Sequence, residues 1–386
     1  MTDLMIVGAG PAGRALAHRA ARHGVQVTLV DPAPEARWAM TIGAFVDDLP
    51  DWLDPTVVAA AADETVVYTP RRRSLPRAYA VLDAAALQDA LTLDAVHVVP
   101  AAAARVTADR VHTVDGRQFT ARVVVDARGA AEVSTTIPRQ RAVGTFVAAA
   151  DTAPEMVLMD WRATPVHRPS FSYRVRVDAH RDLVEETSLA ADPTEIGRAE
   201  LAQRNAARLP GARVGPEEWG GDEWVDFPMY ATAAPWRQTP VRFGAAGGLM
   251  HPATGYSVAE SLRCADVLAA DLAAGGVGAA LWPRSARWVY RLRLRGLAVL
   301  LGFDGPQLTA FFDAFFALPI RTQRAYLSGR TDLTGVLAAM LAVFVRVPWR
   351  LRVAVALGFL RPGSLRPGRR VPAPGPRRSP CPRRGP

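Results

Sequence analysis

The sequence predicts an α/β protein: a Rossmann-like dinucleotide-binding domain, an inserted β-rich layer, and a helical region toward the C-terminus. Three observations carry this expectation. Residues 4–13 (LMIVGAGPAG) pass from an apolar run through glycines into a helical pattern. Residues 243–260 (FGAAGGLMHPATGYSVAE) form a second glycine-rich turn ahead of a helix. Between them lies a stretch of short strands with alternating character.

Leu4, Met5, Ile6 and Val7 have the continuous apolar character of a strand buried in a parallel sheet. Gly8, Gly10 and Gly13 follow with the spacing GxGxxG, and a helical pattern begins at Arg14. Gly8 suits the tight turn, Gly10 the approach of a pyrophosphate to the backbone, and Gly13 the close packing of helix on strand. A second strand over 25–30 ends on Asp31, where an acid takes the adenosine ribose hydroxyls. An acid disfavours a 2′-phosphate there, so the expected nucleotide is FAD or NAD rather than NADP.

After Asp31 comes a loop holding Trp38, Phe45, Asp47 and Asp48. Short strands are expected at 65–68, 78–81, 97–99 and 103–106, with a helix over 83–93 capped by Asp83. Asp115-Gly116 marks a hairpin between strands at 111–114 and 118–121. Val123, Val124 and Val125 form a further strand, and the turn Asp126-Ala127-Arg128-Gly129 brings it back near the phosphates. Strands at 156–161, 171–177 and 183–189 compose the second sheet, a substrate-binding layer over 143–240. Residues 241–244 return to the first domain and 257–273 are helical, with an N-terminus able to point amides at a flavin. The nucleotide domain is thus discontinuous, 1–142 with 241–285; helices occupy 286–360, at 288–301, 311–318, 336–347 and 349–360.

The chain has 386 residues, 49% of them hydrophobic, enough for more than one domain and a large core. Its net charge of +9 would ordinarily suggest nucleic acid or an anionic membrane, but residues 361–386 hold eight arginines and no acid. The body is nearly neutral, and no nucleic-acid partner is expected. The tail, also rich in proline, reads as disorder, either without consequence or weakly attracted to anionic lipid. All 46 basic residues are arginine, which with abundant alanine points to a GC-rich bacterial genome. With the first strand expected to begin next to Met1, no secretory signal is expected. Cys264 and Cys381 lie far apart, so a reducing cytoplasm is expected and a disulfide is not. Histidines are scattered without CxxC or HxxxH spacing, so no metal site is expected.

The longest uncharged apolar stretch in the C-terminal third, 333–345, is shorter than the ~20 residues a spanning helix needs. These helices either lie in a membrane interface with arginines at their ends or pack on the protein itself. Glu185 and Glu186 are adjacent carboxylates; on a strand they face opposite sides, so only one enters a pocket. Asp160 and Arg162 read equally as a surface ion pair or pocket groups, and His251 more readily as a satisfied loop residue than as an acid or base. Trp38, Trp161, Phe171, Tyr173 and Tyr256 are either ordinary core or the lining of a hydrocarbon tunnel offering cation–π stabilisation.

With these residues assembled, the chain resembles the flavin-dependent lycopene cyclase family, the bacterial and plant-type lycopene beta-cyclases. The resemblance covers roughly residues 1–330 and rests on 7–13, 45–48 (FVDD), 125–129 (VDARG), 158–162 (LMDWR), 184–189 (VEETSL) and 244–262 with its MHPATGY. The first and third motifs occur in many FAD enzymes; MDWR, EETSL and MHPATGY in combination are specific to this family. The family's aromatic-rich pocket strand reads FSYRVRV here.

The resemblance implies a FAD-binding Rossmann-like domain of the glutathione-reductase/hydroxylase type, with Asp126, Gly129, Gly244, His251 and Gly255 contacting the cofactor alongside Gly8, Gly10, Gly13 and Asp31. It implies redox-neutral, proton-initiated closure of the ψ ends of lycopene to β rings, with reduced FAD stabilising the cation or accepting the proton and NAD(P)H needed only as reductant. Glu185 is favoured as the acid, kept protonated by desolvation and repulsion from Glu186, with Asp160 a further candidate. Trp161, Phe171, Tyr173 and Tyr256 would line the pocket. A lipid-soluble substrate implies a cytoplasmic protein peripheral to the membrane, working beside other carotenoid-pathway enzymes. A FAD-dependent monooxygenase or prenyl-chain reductase on the same fold is the alternative, differing in net redox chemistry, and a non-catalytic flavin- or carotenoid-binding protein is third.

Overall fold

The apolar run after Met1 forms β1 (Thr2–Val7), central in a parallel arrangement with β2 (Val27–Asp31) on one side and β11 (Gln118–Asp126) on the other. The computed structural model describes residues 2–129, 137–149, 155–192, 195–209, 219 and 221–360. The basic segment 361–386 lies outside them. The first sheet runs β8 (Val96–Pro100), β2, β1, β11, β10 (Arg110–Thr113), β9 (Ala103–Val106), with β17 (Val241–Arg242) added in parallel to β11. The two strands read at 118–121 and 123–125 are one, β11: its first half pairs with the β10 hairpin and its second half with β1.

Alternate residues of β1 face opposite layers. Leu4 and Ile6 pack with α1 (Pro11–Arg22) and α4 (Val258–Ala273), whereas Met5 and Val7 pack with Val99, Val111 and Val124. Pro11 stands in the first turn of α1, where its missing N–H is not needed. Asp83 caps α2 (Ala84–Ala90) by accepting from Ala85 N and Ala86 N.

The second sheet has the order β16 (Glu223–Pro228), β12 (Arg139–Ala148), β15 (Arg181–Ala191), β14 (Phe171–Arg176), β13 (Val157–Asp160), β5 (Thr65–Thr69), β6 (Arg71–Leu75). It is antiparallel except where β13 meets β5. Two of its strands come from residues 65–75, ahead of the 143–240 segment in which the sequence reading puts this layer. A small sheet of β3 (Ile42–Phe45), β7 (Tyr79–Leu82) and β4 (Val58–Ala62) lies in the first third of the chain; β7 matches the strand expected at 78–81, β3 falls in the expected loop after Asp31, and β4 carried no expectation.

Helices α5 (Arg284–Leu300), α6 (Gly305–Phe316), α7 (Ile320–Ser328), α8 (Leu333–Arg346) and α9 (Trp349–Leu360) complete the described chain. Short α3 (Arg198–Ala206) packs on β12 and β15; it and α7 carried no sequence expectation. A capping box between Asp304 and Gln307 starts α6, whose phenylalanines pack against Trp161 and Phe171. Among the described residues no single helix is long and apolar enough to cross a membrane. Along α8 and α9 a stripe at every fourth position, Leu337, Leu341, Val345, Trp349, Val353 and Leu357, faces outward, with Leu341 63% and Trp349 68% exposed.

Candidate active site

A cavity of about 750 Å³ runs from the glycine turn after β1 to the aromatic face of α6. At the turn, Gly8 has φ +108°, and a Cβ there would sit 2.8 Å from the Ala127 backbone; a Cβ on Gly13 would sit 1.9 Å from the Gly8 carbonyl oxygen. These two glycines close the strand onto the helix. Gly10 differs: a Cβ there would meet nothing within 4 Å, because it would project into the cavity. The first turn of α1 holds no acid, so its N-terminal end offers positive potential without a competing carboxylate.

Asp31 lines the same end, accepting from Ala9 N and Ala33 N, each at 2.8 Å. Each oxygen of a carboxylate has a further lone pair, so ribose hydroxyls still have acceptors there. Gly129, Gly244 and Gly255 line the cavity as well, together with Ser257 and Val258 at the start of α4. These features fit a dinucleotide: open space at the one glycine that must admit it, a helix N-terminus, and a carboxylate at the end of β2.

Two residues expected against the cofactor stand behind this surface. Asp126 is buried and holds Arg128 through both carboxylate oxygens, at 3.0 and 2.9 Å; Arg128, rather than Asp126, lines the cavity. Burial alone would raise the pKa of Asp126, but the Arg128 hydrogen bonds outweigh it and hold the group below the usual carboxylate range. His251 is buried behind the loop, its Nε2 3.2 Å from the Tyr326 carbonyl and its Nδ1 accepting from Ala253 N. That pattern assigns the neutral tautomer with the proton on Nε2. Burial first, then the neighbouring Arg293 guanidinium, pushes its pKa well below the ordinary value. His251 therefore ties the glycine-rich loop to α7.

Glu185 faces the cavity from β15. Its pKa is raised to about 7: burial is the main cause, a hydrogen bond from Thr187 Oγ1 works against it, and the charge of Glu223 adds to it. Glu186 points to the other side, as strand alternation requires. It is 1% exposed, accepts from Ser170 Oγ at 2.6 Å, and pairs with Arg208 at 3.1 Å. The two glutamates therefore do not share a pocket, and the like charge acting on Glu185 is Glu223, not Glu186.

Asp160 is corrected in the same way. It is 1% exposed, sits outside the cavity lining, and receives two hydrogen bonds from the Arg162 guanidinium, at 2.9 and 2.7 Å. Burial alone would raise its pKa; Arg162 outweighs it, so Asp160 is an ionised partner and no proton donor. Trp161 also stands one layer back, stacked on Phe312 (5.1 Å between centroids) and tilted against Phe171 (4.9 Å). Phe171, Tyr173 and Tyr256 do line the cavity. Tyr79, which carried no sequence signal as a site residue, bonds Tyr173 Oη at 3.1 Å and Tyr256 Oη at 3.4 Å. Burial, chiefly, raises all three phenol pKa values.

Glu223 was also missed. Its strand alternates, with Glu223, Val225 and Phe227 all lining the cavity, a period of two that marks one face of β16. Among the described residues no cluster of three or more His, Cys, Asp or Glu could hold a metal ion.

The family model described as lycopene cyclase protein matches residues 3–353. The chain belongs to the lycopene cyclase family. An uncharacterized carotenoid cyclase from Deinococcus radiodurans is 34% identical over 93% of this chain and 94% of its own length. A chloroplastic lycopene beta cyclase from Nicotiana tabacum is 30% identical over 92% of this chain and 80% of its own. Among solved structures, a probable FAD-dependent monooxygenase from Pseudomonas aeruginosa shares the fold, with a TM-score of 0.55, 16% identity, and coverage of 87% of this chain and 99% of that one. Family membership and the FAD-monooxygenase-like α/β fold agree with the expectations raised by the MDWR, EETSL and MHPATGY motifs.

Proposed function

We propose that this chain is a lycopene beta-cyclase that binds FAD and closes the ψ end groups of lycopene to β-ionone rings, giving β-carotene by way of γ-carotene without net oxidation. One observation carries the reading: the buried Glu185 carboxyl, whose pKa burial pushes up, faces a cavity whose one end suits a dinucleotide and whose other end is lined by phenylalanines. Gly10, Ala12 and the start of α1 would hold the pyrophosphate, Asp31 the ribose, and the Gly244 and Gly255 turns the remainder of FAD. When bound and reduced by NAD(P)H, the flavin supplies negative charge that stabilises a carbocation.

The chain's own residues supply the rest. Glu185 donates its proton to the terminal alkene of the ψ end; the neighbouring double bond attacks the tertiary cation, and the Glu185 carboxylate takes up the ring proton whose loss completes the β ring, which restores the acid. Phe171 and the phenylalanines of α6 offer ring faces to the cation and exclude water that would trap it as an alcohol. Tyr79, Tyr173 and Tyr256 stay protonated because burial raises their pKa values, so no phenolate competes as a nucleophile.

Expression in cells that accumulate lycopene tests the reading. The expected pigment is β-carotene with γ-carotene as intermediate; unchanged lycopene, or a hydroxylated or hydrogenated product, would refute it. A pH dependence follows from Glu185. The acid works only while protonated and its pKa is raised to about 7, so cyclisation is expected to be full below that value and to decline as pH rises through it. Rates measured in liposomes across the range will check this.

The same reading includes delivery of lycopene from a membrane surface to a cytoplasmic enzyme. Its support is the outward apolar stripe of α8 and α9, flanked by Arg346 and Arg350. Combined Leu341→Glu and Trp349→Glu substitution is expected to weaken vesicle flotation at least about tenfold, since each side chain contributes roughly 1.5–3 kcal/mol when buried in apolar surroundings. Deleting 361–386 should leave flotation in place. Flotation unchanged by the double substitution would remove this face from membrane binding.

A further inference from the structure

The register of the second sheet brings together two carboxylates that are distant in sequence. Gly144 of β12 lies opposite Glu185 on β15 and, on its other side, opposite Glu223 on β16. Residues directly opposite in antiparallel strands share a face, so Glu185 and Glu223 rise from the same side of the sheet with a glycine between them. Both line the cavity. A side chain on Gly144 would intrude on this arrangement: its Cβ would lie 2.7 Å from Leu183 Cδ1 and 3.6 Å from Glu185 Cβ.

The Glu223 carboxylate is fixed from the nucleotide domain. One oxygen accepts from Thr41 N at 2.9 Å and the other from Thr41 Oγ1 at 2.7 Å. Thr41 immediately precedes β3, and Thr41, Ile42 and Gly43 border the cavity. The charge is thus held in place by a segment that also walls the site. Other ionisable groups around Glu185 are phenols: Tyr173 directly opposite on β14, Tyr256 from the loop before α4, and Tyr79 of β7 bonded to both, with Tyr326 of α7 on the same cavity wall. Beyond Tyr256 stand Arg77 and Asp48, which act on that phenol and pair with each other.

We propose that Glu223 is a positioning residue for proton donation: its carboxylate, set across Gly144 from Glu185 and anchored by Thr41, biases the Glu185 carboxyl further toward its protonated form, adding to the effect of burial. The negative charge of Glu223 disfavours a second charge on the same face of the sheet, while its own charge is served by the two Thr41 donors. The donor's partner carboxylate therefore comes from β16 and not from the adjacent Glu186. This inference rests on the reading of Glu185 as the acid, but its test does not require turnover.

The protonated carboxyl of Glu185 is followed by its C=O stretch in infrared titrations of the purified full-length protein and assigned by its loss in Glu185→Gln. In the parent the band is expected to titrate near 7. Glu223→Gln keeps an acceptor for Thr41 but removes the charge, so the midpoint should fall by roughly half a pH unit to one unit. The declining limb of the cyclisation profile should move down with it, restoring activity at lower pH. Glu223→Asp withdraws the charge by one methylene and should give a midpoint between the two, which keeps the test open if the Gln variant fails to fold. An unshifted midpoint in both folded variants would overturn the proposal, as would activity lost equally at every pH with the infrared titration unchanged. If the band shifts as expected while lycopene remains linear, the pairing stands and the cyclase reading falls.

Discussion

Glu185→Gln is expected to retain FAD while leaving lycopene linear. Glutamine matches the carboxyl in size and can still accept from Thr187 Oγ1, so the cavity keeps its shape. It has no proton to give an alkene. General acids typically contribute on the order of a hundredfold to ten-thousandfold, and protonating an unactivated double bond places this donor at the demanding end. Stability should move the other way. Because burial raises the Glu185 pKa from 4.5 to about 7, its ionisation opposes folding increasingly as pH rises from the lower value, and fully above the higher one. That cost is about 3 kcal/mol, so the Gln variant is expected to melt above the parent at alkaline pH and level with it near 4.5. Pigment extraction, flavin absorbance and thermal melts at both pH values check the three claims. Glu186→Gln should behave oppositely: cyclisation is largely kept, and stability falls because Arg208 loses its buried partner.

Gly10→Val is expected to fold and to lose FAD, by at least about a hundredfold in affinity, or roughly 3 kcal/mol. The backbone at Gly10 has φ −66° and ψ 176°, extended geometry open to valine, and the new Cβ meets no protein atom within 4 Å. The isopropyl group enters the cavity where the pyrophosphate must approach. Gly13→Ala provides the contrast: its Cβ would press on the Gly8 carbonyl at 1.9 Å, so that variant should fail in folding as well as in binding. Flavin retained at the parent's stoichiometry by a folded Gly10→Val protein would show that the cofactor does not lie along this turn.

The glycine turn was legible because everything that defines it is local: apolar strand, GxGxxG, helix and terminal Asp31 fall within one short stretch. Strand alternation likewise separated Glu185 from Glu186. What escaped depends on contacts across the chain. The pairing of Glu185 with Glu223 exists only because β12 lies between β15 and β16 with Gly144 at the crossing point. No spacing in the sequence encodes that register. The alternation of Glu223, Val225 and Phe227 was available as a signal. Asp160 could be read as a pocket acid until Arg162 was seen folded back onto it, and Trp161 as pocket lining until Phe171 and Phe312 were found in front of it. Both distinctions turn on side-chain packing, which residue identity leaves open.

The most direct measurement is cyclisation of lycopene in liposomes by the purified, FAD-loaded protein in deuterium oxide, followed by mass analysis of the product. A reaction begun by proton transfer from Glu185, whose carboxyl exchanges with solvent, should yield β-carotene carrying one solvent deuterium for each ring closed, with no stoichiometric consumption of NAD(P)H. Cyclised product without solvent deuterium, or product formation coupled to NAD(P)H oxidation turnover for turnover, would contradict it.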